Sequence, residues 1–177
     1  MSRRDVGERL VVALAGNPNT GKTTVFNHLT GSHQHVGNWP GKTVDRKSGW
    51  FRRGPTEVEI VDLPGTYSLV AASTDERIAR EALVEGEFDA VVAVVDAANL
   101  ERNLYLVAQI RELGAPVVVA LNMTDVAAAR GVEIDADRLG LALGAVVVPT
   151  VARTGTGVDR LADVIIGVAR RASRALA

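Results

Sequence analysis

The chain has 177 residues, 47% of them hydrophobic, with a formal net charge of −1 and an estimated pI near 6.3. That length and apolar content suffice for one folded domain with a buried core, and the charge balance argues against strong nonspecific nucleic-acid binding while leaving a local patch open. No cysteine is present, which excludes disulfides and thiolate metal sites, and neither apolar run (90–95, 115–121) approaches the roughly 18 residues of a membrane helix. The segment 1–9 is too polar for a secretory signal, so the chain reads as soluble.

The apolar run 10–15 predicts a first strand, and Thr24-Val25-Phe26-Asn27-His28-Leu29 predicts a helix. Between them lies Gly16-Asn17-Pro18-Asn19-Thr20-Gly21-Lys22-Thr23. A glycine, four residues and then Gly-Lys-Thr, placed between strand and helix, is the pattern of a phosphate-binding loop. The set that binds nucleotide is then Gly16, Asn17, Asn19, Thr20, Gly21, Lys22, Thr23 and Thr24. Inward-facing backbone amides surround the phosphates, Lys22 supplies charge to the β- and γ-phosphates, and the Thr23 hydroxyl ligates Mg²⁺.

Residues 31–43 hold three glycines, one proline and no apolar period, and predict a long mobile loop. Residues 44–51 and 56–62 alternate on either side of Arg52-Arg53-Gly54-Pro55, which predicts a hairpin. A helix follows over 75–84, with Ser73, Thr74 or Asp75 as N-cap and Gly86 as its stop. The β-branched run 90–95 predicts a strand buried on both faces. Residues 100–113 place Leu104, Val107, Ala108 and Ile110 on one helical face, and 116–121 is another buried strand. A helix over 135–143, a short strand over 145–148 and a closing helix over 158–172 complete the chain. The alternation predicts an α/β fold: a mostly parallel six-stranded sheet with one antiparallel edge strand and helices on both faces.

Further motifs stand at strand ends, where ligands of such sheets gather. In Asp62-Leu63-Pro64-Gly65, Asp62 holds Mg²⁺ through a water and the Gly65 amide approaches the γ-phosphate. Thr43, in the flexible segment with Gly41, completes the Mg²⁺ shell only while a γ-phosphate orders the loop, which makes a switch. Asn122-Met123-Thr124-Asp125 fits an Asn-x-x-Asp guanine reader: the Asp125 carboxylate accepts from guanine N1 and N2, a donor pair adenine lacks. The predicted nucleotide is therefore GTP or GDP. Val151, Ala152 and Arg153 occupy the place of a Ser-Ala-Lys-like loop closing over the base, with Val151 where serine is usual and the Ala152 amide available to guanine O6.

Gly65 is followed by Thr66-Tyr67-Ser68-Leu69, without the glutamine that orients water in Ras-like switches. Backbone groups, Thr66 or a partner must then position the water, and slow intrinsic turnover is expected. His28, His33 and His35 fall within eight residues, but one lies on a helix, two lie in the loop and no carboxylate joins them, so a transition-metal site is rejected.

These residues resemble the cytosolic G domain of the ferrous iron transport protein B family, bacterial membrane GTPases. The strings carrying the resemblance are Gly16 to Thr23, Val36-Gly37-Asn38-Trp39-Pro40-Gly41-Lys42-Thr43-Val44, Asp62-Leu63-Pro64-Gly65-Thr66-Tyr67-Ser68-Leu69, Asp75-Glu76-Arg77, Val95-Asp96-Ala97-Ala98-Asn99-Leu100-Glu101-Arg102-Asn103-Leu104 and Ala120-Leu121-Asn122-Met123-Thr124-Asp125. The resemblance implies a Ras-like P-loop GTPase fold and Mg²⁺-dependent hydrolysis of GTP, with Lys22, Thr43, Gly65, Thr66 and Asn19 as the catalytic set. It also implies that Asn19 helps bind K⁺ where other systems use an arginine finger. Such proteins continue into a helical domain and a membrane region carrying the iron pathway. The expectation is one G domain, 1–177, acting at the cytoplasmic face of the bacterial inner membrane within a larger protein, with those domains and guanine nucleotide as partners and no nucleic acid. The alternatives are a free-standing Era- or Der-like GTPase of RNA or ribosome biogenesis, and a slow guanine-nucleotide binding module.

Overall fold

A computed structural model describes residues 7–175. The elements run β1 (Arg9–Gly16), α1 (Lys22–Thr30), β2 (Gln34–Asn38), β3 (Asp45–Arg53), β4 (Thr56–Asp62), α2 (Thr74–Glu85), β5 (Ala90–Asp96), α3 (Leu100–Glu112), β6 (Val117–Asn122), α4 (Thr124–Ala129), α5 (Ala136–Leu143), β7 (Val146–Pro149) and α6 (Val158–Ala175). Two short 3₁₀ turns, Ala97–Asn99 and Ala152–Thr154, follow β5 and β7.

Strand periodicity sorts the core into two layers. In β1, Leu10, Val12 and Leu14 face α1 and α6, while Ala13 and Ala15 face α2 and α3. β5 divides the same way, with Val92 and Val94 on one side and Val91, Ala93 and Val95 on the other, all essentially inaccessible. At about 1.5–3 kcal/mol for each fully buried aliphatic side chain, these central strands anchor the fold. The sheet order is β2-β3-β4-β1-β5-β6-β7. β4, β1, β5, β6 and β7 run parallel, and β3 runs antiparallel to both its neighbours. The parallel strands therefore deliver the loops after β1, β4, β6 and β7 to one end of the sheet.

The mixed sheet follows the sequence expectation with one strand more, seven in place of six. The extra strand, β2, lies within the segment expected to be a mobile loop. Its residues are mostly polar, so what holds it is pairing with β3, from Gln34 opposite Gly49 to Asn38 opposite Asp45. Gln34 Nε2 also donates to Asn27 Oδ1 at 2.9 Å and Gly31 O at 3.0 Å, tying β2 to α1. The His33 and Trp50 rings stack with centroids 5.7 Å apart.

Of the three cap candidates for α2, the chain uses Ser73. Its hydroxyl accepts from Glu76 N at 3.1 Å while Glu76 Oε2 accepts from Ser73 N at 3.3 Å, a reciprocal box worth about 1 kcal/mol. Among the described residues no helix is long and apolar enough to cross a membrane.

Candidate nucleotide site

β1 ends at Gly16, where the chain turns away from the sheet and re-enters as α1 at Lys22. Only glycine fits at Gly16, since a Cβ there would lie 2.8 Å from Val94 O. Asn19 and Gly21 both take left-handed backbone conformations, φ +65° and +83°. These turns wrap Gly16 to Gly21 above the amino end of α1, whose first N–H groups lack helical acceptors and carry partial positive charge. Thr20 is buried and its hydroxyl donates to Asn17 O at 3.0 Å, closing the loop on itself. Asn17 is 3% exposed, and neither its side-chain oxygen nor its nitrogen has a partner among the described residues. Thr23 and Thr24 occupy the first turn of α1, with Thr23 exposed.

Asp62 ends β4 beside this loop. Lys22 Nζ donates to Asp62 Oδ1 and, at 2.8 Å, to Leu63 O, so the lysine bridges the phosphate loop and the Asp-x-x-Gly turn. The turn is also fastened by its backbone, because Thr66 N donates to Gly16 O at 3.1 Å. Thr66 is 4% exposed, and Gly65 lies against Pro18, where a Cβ would sit 3.6 Å from the proline ring. A Thr23 hydroxyl and an Asp62 carboxylate form a hard, oxygen-only donor set, which suits Mg²⁺.

Gly41 (φ +68°) and Thr43 are exposed in the turn joining β2 to β3, which is closed by Trp39 N donating to Val44 O at 3.0 Å. Among the described residues no hydrogen bond joins Thr43 to Thr23 or Asp62. Trp39 packs against the α2 layer, with the Arg46 guanidinium 5.4 Å above its ring.

The base-reading end is organised by Asn122, which is 3% exposed at the end of β6. Its Nδ2 donates to Thr20 O at 2.9 Å, while its Oδ1 accepts from Thr150 Oγ1 at 3.1 Å and from Ala152 N at 2.9 Å. One side chain thus ties the phosphate loop to the loop after β7. Gly21 is the counterpart of this tie, because a Cβ there would lie 2.3 Å from Asn122 Nδ2. The Ala152 amide, expected to serve guanine O6, donates here to Asn122 Oδ1. Met123 turns the chain through φ +60° into α4, and Asp125 lies in that helix's first turn. Arg153 Nη2 stands 3.3 Å from Asp125 Oδ2. Val151 offers only its backbone here, its N–H donating to Thr156 O at 3.0 Å.

The structure therefore joins by hydrogen bonds the loops carrying Gly16 to Thr24, Asp62 to Thr66, Asn122 to Asp125 and Val151 to Arg153, and among the described residues no such bond ties Thr43 to them. Sequence reasoning gave no role to the hydroxyl of Thr150, a 1% exposed residue that closes the Asn122 network at the start of the base-closing loop. Nor did it give a role to Asn103, whose Oδ1 accepts from Asp96 N at 3.3 Å and whose Nδ2 donates to Asn99 O at 2.8 Å. A polar residue at a strand end after three valines and a proline, and an asparagine inside a helical run, were the available signals. The three histidines are distributed over α1, the following turn and β2, and among the described residues no group of three His, Cys, Asp or Glu side chains could hold a metal.

A family model described as Ferrous iron transport protein B matches residues 10–165. The chain is similar to the Fe(2+) transporter FeoB of Salmonella typhimurium, 52% identical over 158 residues, covering 87% of this chain and 20% of that protein. Among solved structures, the cytosolic domain of L. pneumophila FeoB is 49% identical with a TM-score of 0.86, over 89% of this chain and 68% of that one. The G domain of T. maritima FeoB is 44% identical with a TM-score of 0.85, over 92% and 99% respectively. A point mutant of S. thermophilus NFeoB bound to GDP is 48% identical with a TM-score of 0.83, over 90% and 61%. The chain thus spans about a fifth of the length of the curated relatives it matches.

Proposed function

Because the chain belongs to the ferrous iron transport protein B family, we propose that it is the G domain of a longer membrane protein, hydrolysing GTP to GDP and phosphate to regulate ferrous iron uptake. The observation that carries this reading is the convergence on one sheet end of the phosphate loop, the Asp62 turn and the Asn122–Asp125 stretch, tied through Asn122 and Thr66. Relatives of the same fold include GDP-bound chains, which supports guanine nucleotide as the ligand. The larger protein would hold this domain at the cytoplasmic face of the bacterial inner membrane, with its helical and membrane domains as partners.

In this reading Lys22 leaves Asp62 and Leu63 O for the β- and γ-phosphates, exchanging two charge-assisted contacts for contacts with more highly charged oxygens. The Thr23 hydroxyl and Asp62 carboxylate, with Thr43 once the β2–β3 turn swings in, are the residues that would hold Mg²⁺, which supplies charge neutralisation at the phosphates. Asn19, exposed and without a side-chain hydrogen bond among the described residues, would offer its amide oxygen to K⁺, whose positive charge offsets charge developing on the γ-phosphate. With no glutamine after Gly65, and Thr66 N engaged by Gly16 O, water positioning is weak and intrinsic turnover is slow.

The test is base specificity by nucleotide competition. GDP should displace a labelled guanine nucleotide while ADP does not. Asp125→Asn should transfer preference to xanthine nucleotide, because an amide presents a donor to the carbonyl that replaces the exocyclic amine. Equal displacement by ADP would sink the assignment.

A further inference from the structure

The Asp125 carboxylate sits in the first turn of α4, a six-residue helix whose N-cap, Met123, supplies no side-chain cap. It is 38% exposed, so packing alone does not fix its plane. Two parallel hydrogen bonds to a base demand that the carboxylate lie close to the base plane, and a freely rotating carboxylate satisfies that condition only part of the time. Something on the protein must therefore hold it.

The surrounding hydroxyls are already committed. Thr150 Oγ1 donates to Asn122 Oδ1, Thr124 Oγ1 donates to Thr150 O at 3.2 Å, and Thr154 Oγ1 is shared between Val151 O and Thr156 Oγ1. Val151 has no hydroxyl to give. Among the described residues the sole side-chain partner of Asp125 is Arg153, through Nη2 to Oδ2 at 3.3 Å. The loop carrying Arg153 is itself registered against β6 and α4 by Ala152 N donating to Asn122 Oδ1 at 2.9 Å and by the Thr124 contact, so the guanidinium is placed by the same network that places the base reader.

We propose that Arg153 is a positioning residue for guanine specificity: its guanidinium holds the Asp125 carboxylate in the plane where both oxygens meet the N1 and exocyclic N2 hydrogens of the base. A guanidinium carries donors only, so it occupies one lone-pair site of Oδ2 and leaves the other sites free to accept from the base. The assignment rests on the guanine reading given above and names the residue that makes it selective.

The distinguishing measurement compares GDP with IDP, whose hypoxanthine base keeps N1–H and lacks the exocyclic amine. A residue that orients Asp125 for two hydrogen bonds matters most when both can form. Arg153→Ala should weaken GDP binding about three- to fivefold, the upper part of the range of a solvent-exposed ion pair, and should leave IDP binding within about twofold, so that the GDP/IDP preference falls. Arg153→Lys, which keeps the charge but loses the planar fork, should fall between. Arg153 is 81% exposed, so unfolding is not the expected cause of any loss, and thermal denaturation without nucleotide checks this directly. Equal losses for GDP and IDP would mean that Arg153 acts by packing on the base or on the fold, and would overturn the assignment. So would an unchanged GDP/IDP ratio in Arg153→Ala. A wild-type chain that bound IDP as tightly as GDP would overturn the guanine reading itself, and this inference with it.

Discussion

Truncating Asn122 to alanine should destabilise the protein even when no nucleotide is bound. The side chain makes three hydrogen bonds, to Thr20 O (2.9 Å), from Thr150 Oγ1 (3.1 Å) and from Ala152 N (2.9 Å). Asn122, Thr20, Thr150 and Ala152 are 3%, 2%, 1% and 1% exposed, so all three partners are left unsatisfied inside the protein. Each stranded buried group costs about 1–2 kcal/mol. The Thr150 hydroxyl can rotate toward another acceptor and a water can enter the vacated polar space, which brings the net loss to about 3 kcal/mol. For a chain of this size that corresponds to a drop of about 6–12 °C in Tm. Thr150→Val removes one of the three bonds and leaves the Ala152 N–H on Asn122 Oδ1, so it should cost about 1 kcal/mol. The assay is urea unfolding followed by circular dichroism after exhaustive removal of nucleotide. If Asn122→Ala kept its nucleotide-free stability within about 0.5 kcal/mol while losing GDP binding, Asn122 would be a base ligand alone and the tie between the two loops would carry no weight.

Gly21→Ala should act on the same tie from the other side, since φ +83° and a Cβ at 2.3 Å from Asn122 Nδ2 force both the backbone and the amide to move. We expect a loss of about 3 kcal/mol together with weakened GDP binding, against about 1 kcal/mol for Gly114→Ala, where φ is +80° and no atom lies within 4 Å; equal costs in denaturant titrations would refute the clash. Asn19→Ala should abolish any acceleration of GTP hydrolysis by K⁺ over Na⁺, and a mutant that keeps the cation preference would remove Asn19 from the site. Away from the site, Arg170 Nε donates to Glu8 Oε2 at 2.6 Å and holds the carboxyl below its ordinary value of 4.5. Protons bind the unfolded chain more tightly there, so this stabilisation is complete above the ordinary value and is lost as pH falls through the lower, folded one. The Tm gap between wild type and Glu8→Gln should therefore narrow from about pH 6 to about pH 3; a constant gap would show that the contact contributes nothing through ionisation.

The parallel core was legible because its strands are buried on both faces, and Ala90 to Val95 could hardly be anything else. The loop from Gly16 to Thr23 and the stretch from Asn122 to Asp125 were legible because their chemistry fixes residue types at fixed spacings. β2 was not, because Gln-His-Val-Gly-Asn has no buried face to impose alternation, and its strand conformation comes from pairing with β3 across an intervening turn. α4 was not, because six residues, Thr124–Ala129, are too few to show a helical period. The role of Asn122 was only half visible. Its position at a strand end marks it as functional, but nothing local shows that Thr20, Thr150 and Ala152 converge on it from two other loops. The same limit hid the Ala152 amide's contact with Asn122 Oδ1, which is set by tertiary contact and not by the residues beside it.

On the proposed function, these loops form a guanine-specific hydrolytic site. Multiple-turnover phosphate release in Mg²⁺ buffer, with GTP and ATP compared side by side, tests it most directly. Slow, sustained release from GTP and none above background from ATP is the expected result. Equal release from the two nucleotides would contradict the base assignment, and no release from GTP in either K⁺ or Na⁺ would reduce the chain to a nucleotide-binding module.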